Sequence, residues 1–163
     1  MLAFCGVDKC SLDANGRIKL SPRTVEDFRA SGGDLVLHCL PEGALALYPE
    51  SVYLEMCRKE SSSAARAGES MVYRRMLRAF GALSRPEKIS PQGRITLPQG
   101  FREHAGLGSS SEAVVVGVEI GVEIWSAGRW MEEQGKIQEH LLEKGRLEMK
   151  ADLGEGPAVQ APG

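Results

Sequence analysis

The chain contains no apolar run near the roughly 18 residues that a membrane-spanning helix needs, which argues against an integral membrane protein. Its N-terminus reaches Asp8 and Lys9 without a basic start or an apolar stretch, so a secretory leader is not expected. Neither sign of charge prevails: 20 Lys and Arg oppose 22 Asp and Glu, a net charge of −2. That balance excludes a bulk phosphate binder and leaves room only for a local basic face. Cysteine is sparse, and Cys5, Cys10, Cys39 and Cys57 form no C-x-x-C pair and match no zinc-site spacing. Small buried thiols in a reducing compartment are the expectation. Catalytic signatures are missing as well: there is no G-x-S-x-G, phosphate-binding loop or dinucleotide glycine pattern. His38, His104 and His140 have no carboxylate or thiol at helical ligand spacing, and His38 reads as a strand residue. The expectation is a soluble, cytoplasmic protein with no metal, no cofactor and no catalysis.

What the chain does contain is an internal echo. Ser11-Leu-Asp13-Ala-Asn15-Gly16-Arg17-Ile18-Lys-Leu20 returns as Lys88-Ile-Ser90-Pro91-Gln92-Gly93-Arg94-Ile95-Thr-Leu97, an offset of 77 between Arg17 and Arg94. The same offset carries Glu26 to Glu103, Glu42 to Glu119, Tyr48 to Trp125 and Tyr53 to Trp130. An ungapped shift of this kind points to duplication of a whole structural unit.

Both copies have one outline. Asn15-Gly16 is a two-residue hairpin signal of type I′, where both central residues take positive φ. Ser90-Pro91-Gln92-Gly93 suits a type I turn, with proline presetting φ. Short alternating strands follow at Arg17 to Leu20 and Arg94 to Leu97. A helical or irregular stretch covers Thr24 to Arg29 and Gly100 to Ala105. Hairpins run from Leu35–Cys39 to Ala44–Tyr48 and from Ala113–Gly117 to Val122–Trp125. Pro49 reads as N1 of a helix carrying Val52, Tyr53, Met56 and Cys57 on one face. Ser126 reads as the N-cap of a helix from about Ala127 to Met149, with Trp130, Ile137 and Leu141 on its apolar side. Between the copies, Arg58 to Glu69 reads as a loop and Ser70 to Phe80 as an amphipathic helix. In that helix Val72, Met76, Leu77 and Phe80 are expected inward, with Arg74, Arg75 and Arg78 outward. This gives a first unit over 1–57, a connector over 58–80, a second unit over 81–150 and a disordered tail over 151–163.

Asp13-Ala-Asn15-Gly16-Arg17-Ile18 and its second copy resemble the repeat of the MraZ family, whose hallmark is Asp-x-x-x-Arg in a strand-turn-strand element. Gly93-Arg94-Ile95-Thr-Leu97-Pro98 through Leu107, and Val122-Glu123-Ile124-Trp125-Ser126 followed by Trp130, are similar to it in detail. The resemblance covers about residues 1 to 145. It implies an α+β, β-rich fold: two tandem swapped-hairpin, AbrB-like units forming one pseudo-two-fold β-barrel with flanking helices. It further implies a ring-shaped homo-oligomer on the nucleoid that regulates transcription, as a repressor or an activator. The implied partner is double-stranded DNA, at short direct repeats upstream of division and cell-wall genes, its own promoter included. Asp13, Asn15, Gly16, Arg17, Ser90, Gln92, Gly93 and Arg94 are the DNA-contacting residues it implies. The chain departs from the pattern at Ser90, where the family has Asp, and at Leu20-Ser21-Pro22, where Ile-Pro is usual one residue earlier.

The chemistry of the motif fits such a role. An arginine fork pairs with two acceptors on the major-groove edge of guanine. Asp13 is placed across the turn to hold the Arg17 guanidinium, whereas Ser90 brings Arg94 no charge. Between Arg58 and Lys88, eight Lys or Arg against three acids leave +5, a local density suited to phosphates. Two other readings compete: a different swapped-hairpin regulator, and a ring-forming scaffold that binds no DNA.

Overall fold

The computed structural model describes residues 2–57 and 63–154. Its elements run in the order β1 (Val7–Ser11), β2 (Arg17–Lys19), α1 (Pro22–Ala30), β3 (Leu35–Leu40), β4 (Ala44–Pro49), α2 (Glu50–Cys57), α3 (Ser63–Glu69), α4 (Met71–Ala82), β5 (Ser84–Glu87), β6 (Arg94–Thr96), α5 (Gln99–Ala105), β7 (Glu112–Gly117), β8 (Val122–Ser126) and α6 (Ala127–Asp152). The class is α+β. A six-stranded sheet ordered β1-β7-β8-β4-β3-β5 is antiparallel throughout, and β2 and β6 form a second, two-stranded sheet. The larger sheet is open, with β1 and β5 at its edges, and no closed barrel is present among the described residues.

Elements of the two halves begin 77 residues apart: β1 and β5, β2 and β6, α1 and α5, β3 and β7, α2 and α6. Strand pairing crosses between the halves, β1 with β7, β3 with β5, β2 with β6. At the centre Ile18 faces Ile95, and the flanking backbone bonds mirror each other: Leu20 N–H to the Gly93 carbonyl at 2.9 Å, Leu97 N–H to the Gly16 carbonyl at 2.8 Å. The ungapped offset nevertheless breaks at one strand. Val36 pairs with Tyr48 but Val114 pairs with Trp125, an equivalence of 78 rather than 77. The cause lies upstream, where Gly106 in the left-handed region ends α5 after seven residues while α1 runs for nine. The longer connection moves β7 by one residue.

The core draws on both halves. Ile18, Leu20, Phe28, Ile95, Leu97 and Ile124 are all fully buried, as alternating strands with one covered face require. Ser21 and Pro22, the departure in the first copy, form a helix start: Ser21 Oγ accepts from the Thr24 N–H at 3.2 Å, and Pro22 occupies the first turn. In the second copy Pro98 takes the cap position without a side-chain bond. Leu20 and Leu97 are buried alike in spite of this difference.

Several boundaries differ from the sequence expectation. Pro49 ends β4, opposite Leu35, instead of opening α2. Ser126 closes β8 and stands directly before α6, which begins at Ala127 as expected. Ser63–Glu69 is helical, not a loop, and residues 58–62 lie outside the described residues. Helix α6 continues to Asp152, past the expected start of the tail, and residues 155–163 of that tail lie outside the described residues. Gly135 and Gly145 do not interrupt it.

The largest difference concerns α4. Ser70 caps it as an ordinary N-terminal serine, accepting from the Tyr73 N–H at 3.1 Å. Tyr73 is its buried residue, and Val72, Met76, Leu77 and Phe80, expected inward, are exposed. On α2, Val52, Tyr53 and Met56 are half-buried, and Cys57 is exposed. The expectation of buried thiols therefore holds for Cys39 and not for Cys57. The chain divides into two compact units, one through Ala127 and one from Gly128. In the second, Ile137 and Leu141 are exposed on α6. No helix among the described residues is long and apolar enough to cross a membrane.

Candidate nucleic-acid interface

The two Asp/Ser-x-x-x-Arg segments adopt one backbone. In the first, Gly16 N–H donates to the Asp13 carbonyl at 3.1 Å and Asp13 N–H to the Arg17 carbonyl at 2.9 Å. In the second, Gly93 N–H donates to the Ser90 carbonyl at 2.9 Å and Ser90 N–H to the Arg94 carbonyl at 2.8 Å. Gly16 and Gly93 have φ of 76° and 78°, while Asn15 and Gln92 are not in that region. Each loop is thus a turn followed by a left-handed glycine, the three-residue hairpin form. The type I′ reading of Asn15-Gly16 is corrected accordingly. The shared backbone bonds and the left-handed glycine define that form in both copies, and in the first Asp13 Oδ1 braces it, accepting from the backbone N–H of both Asn15 and Arg17, each at 2.9 Å.

The side chains part company where the backbones agree. Arg17 Nε donates to Asp13 Oδ2 at 2.9 Å, with both side chains more than a third exposed. The backbone N–H of Arg17 does most to hold the Asp13 carboxyl below its ordinary value; desolvation opposes it, and the Arg17 guanidinium and the Asn15 N–H add to the lowering. Ser90 Oγ accepts from the Arg94 N–H at 3.0 Å, reproducing the backbone bond, and makes no bond to the Arg94 guanidinium.

The β2–β6 register brings these residues together. Arg17 lies opposite Thr96 and Lys19 opposite Arg94. Side chains opposite each other, or two positions removed, share a face, so Arg17, Lys19, Arg94 and Thr96 stand on the outer face. Ile18 and Ile95 fill the inner one, each 1% exposed. Arg17 and Arg94 are diagonal neighbours, with Cα atoms about 7–8 Å apart by strand geometry. Asn15 and Gln92 are exposed at the two turns, which lie at opposite ends of the ribbon. Lys19 and Thr96 were absent from the residues read off the motif. The signal for them was the period-two alternation Arg17-Ile18-Lys19, which assigns Lys19 to the face of Arg17.

Away from the ribbon, the basic stretch between the halves is partly engaged in local structure. Arg66 lies over the Tyr73 ring at 4.5 Å, Arg74 Nη1 donates to the Ala67 carbonyl at 2.8 Å, and Arg85 pairs with Glu87 at 3.2 Å. Arg75, Arg78 and Lys88 are exposed; Arg58 and Lys59 lie outside the described residues. His38 is buried on β3, as a strand residue should be, with Nδ1 at 2.7 Å from Ser84 Oγ. Among the described residues no group of three or more His, Cys, Asp or Glu is arranged to hold a metal ion.

Fold and site define a small α+β protein whose paired arginine turns share one exposed ribbon face. Comparison with known proteins gives the family. The family model for MraZ protein, putative antitoxin-like, matches residues 88–151. Transcriptional regulator MraZ of Corynebacterium kroppenstedtii is 33% identical over 136 residues, covering 83% of this chain and 90% of the relative. That of Thermomicrobium roseum is 35% identical over 127 residues, 78% of this chain and 84% of the relative. That of Cutibacterium acnes is 34% identical over 136 residues, 83% and 89%. The chain belongs to the MraZ family.

Proposed function

We propose that this chain is a sequence-specific DNA-binding transcriptional regulator that sets the outer face of its β2–β6 ribbon into a DNA major groove. One observation carries the reading: Arg17, Lys19 and Arg94 share the exposed face of a two-stranded ribbon whose other face is buried. A major groove admits such a ribbon, and an arginine fork pairs with two acceptors of guanine there. Asp13 fixes the Arg17 guanidinium before DNA arrives, so little order is lost on binding. Arg94, without that tie, is the weaker reader. The names of the relatives, transcriptional regulators all three, support the same function.

In this reading the targets are short direct repeats upstream of division and cell-wall genes, including the chain's own promoter, and the protein works in the cytoplasm on the nucleoid. The halves, 1–57 and 81–150 joined by 58–80, are duplicates of one swapped-hairpin unit. The crossing of strand pairs between halves supports that descent. No catalysis, cofactor or metal enters. A good bidentate base contact discriminates by about 1–3 kcal/mol, too little for one chain. A ring-shaped homo-oligomer facing repeated sites makes each later contact intramolecular and multiplies affinity without new chemistry.

The test is a gel shift with the DNA immediately upstream of the gene. Wild-type protein is expected to retard it, and Arg17→Ala to abolish the shift while keeping the wild-type assembly mass in light scattering. Arg17→Ala protein that binds like wild type removes the ribbon face from the interface. Wild-type protein that retards no such duplex favours a scaffold without DNA.

A further inference from the structure

A second arginine lies against the first turn. A Cβ built on Gly16 would stand 2.9 Å from both Cζ and Nε of Arg102, so the Arg102 guanidinium rests on the bare Cα of Gly16. Arg102 belongs to α5, where its backbone N–H bonds the Pro98 carbonyl at 3.0 Å. Its Nε is buried and has no hydrogen-bond partner. Buried donors are nearly always paired, and one left alone calls for an explanation. Nε is the one Arg102 atom among the described residues that is both buried and unpaired, and the residue as a whole is only half-buried, so its terminal nitrogens are not shut away from solvent, and no described group accepts from them. The guanidinium is therefore held flat by packing, with its remaining donors unspent, beside the turn that carries Arg17.

The second turn lacks this feature. The residue 77 positions before Arg102 is Val25, and a Cβ on Gly93 would meet Val25 Cγ2 at an ordinary 3.5 Å. Thus one turn is covered by an arginine and the other by a valine at the equivalent place. The first turn has Asp13 tying Arg17, and the second has a serine and a free guanidinium.

We infer that Arg102 is a phosphate-binding residue of the interface, donating from its terminal nitrogens to the nucleic-acid backbone beside the base edge that Arg17 reads. The inference rests on the DNA-binding reading above and adds a residue that the turn motif does not contain. A planar fork already oriented by packing suits a phosphate, whose oxygens it meets in pairs. Arg102 then adds, beside the first turn, a fourth cation to the Arg94, Lys19 and Arg17 of the ribbon face. One chain therefore approaches DNA with a stronger and a weaker turn.

The experiment compares wild type, Arg102→Gln and Arg102→Lys on the chain's own upstream duplex and on a scrambled duplex across a salt series. Each phosphate contact contributes about 0.9 to the slope of log K against log salt. Arg102→Gln removes the charge and leaves a shorter, neutral side chain that still offers an amide N–H. It is expected to lower the slope by about 0.9 per engaged chain, on both duplexes alike, with the preference for the specific duplex unchanged. Arg102→Lys keeps the slope. If Arg102→Gln retains the wild-type slope while wild type binds selectively, the inference fails and the ribbon reading stands. Wild-type protein without selective binding overturns both. Should Arg102→Gln show no cooperative unfolding transition, the Nε–H resonance of Arg102 in wild-type protein, assigned by its loss in Arg102→Lys, decides instead. It shifts on adding the duplex if Arg102 makes the contact, and an unmoved resonance overturns the inference.

Discussion

At the scale of residues, the two turns share a backbone and differ in what surrounds each glycine. Both Gly16 and Gly93 sit at positive φ, where an L side chain costs about 1–2 kcal/mol. At Gly93 an added methyl meets only ordinary contacts. At Gly16 it meets the Arg102 guanidinium at 2.9 Å and the Leu97 carbonyl at 3.2 Å, the same carbonyl-bearing residue whose N–H bonds Gly16. Gly93→Ala is therefore expected to destabilise by about 1–2 kcal/mol, and Gly16→Ala by more. Urea unfolding midpoints of the two variants check the order, and equal midpoints would mean that Arg102 does not press on the turn. The motif made the arginines, glycines and Asp13 legible in the sequence, because each answers a local need of the turn. The turn type was not, since the Asn15-Gly16 pair signals one hairpin and the backbone bonds of both copies, Asp13 to Arg17 and Ser90 to Arg94, close another. Nor was Arg102 legible: nothing local links position 102 to position 16, and its counterpart is Val25.

At the scale of elements, one serine joins four. Ser84 Oγ, on β5, donates to the Phe80 carbonyl of α4 at 2.6 Å and receives the Tyr53 hydroxyl of α2 at 2.7 Å. With its one proton spent, it also accepts from His38 Nδ1 of β3 at 2.7 Å, which sets the His38 tautomer with the proton on Nδ1. The His38 ring stacks on Phe80 with centroids 5.2 Å apart. Burial pushes the His38 pKa below its ordinary value, the Leu83 carbonyl works the other way, and the nearby His104 lowers it further. The sign follows: the unfolded chain takes up the proton first, near pH 6.5, so the folded state loses stability as pH falls from there toward the folded pKa. In His38→Gln that loss is absent, and the wild-type advantage over it in urea midpoint is expected to shrink between pH 7.5 and pH 5.5. An advantage constant across that range would show that His38 does not titrate there. Ser84→Ala leaves the His38 N–H and the Tyr53 hydroxyl without their partner, at a cost of about 1–3 kcal/mol. Strand and helix periods made α2, α4, β3 and β4 legible one by one, β3 and β4 almost to the residue, whereas β5 (Ser84–Glu87) carries no such period. The network was hidden because Ser84 and His38 are 46 positions apart, and the slip of β7 was hidden because a pairing register is not a property of either strand alone.

At the scale of the whole molecule, the hydrophobic period of α4 marks a stripe that the rest of the chain leaves uncovered. Val72 is 64% exposed and Met76 53%, with Leu77 and Phe80 exposed beside them. Periodicity says which residues share a face and is silent on whether the cover comes from the same chain. Apolar patches of this kind on a soluble protein mark contact surfaces, and the proposed homo-oligomer supplies a partner of matching chemistry in a second copy of the chain. The proposed DNA reading depends on that assembly, because the ribbon face of one chain carries three cations, Arg17, Lys19 and Arg94, of which two are the arginines proposed to read bases. The double variant Val72→Glu, Met76→Glu alters residues that make no contribution to the buried core. It is expected to run as a monomer in light scattering with the wild-type urea midpoint, and to bind its upstream duplex at least tenfold more weakly, since the tethered second contact is worth on the order of 10²–10⁴ in avidity. A monomeric variant that binds as tightly as wild type would mean that a single ribbon suffices, and the multivalent account of affinity would then have to be abandoned.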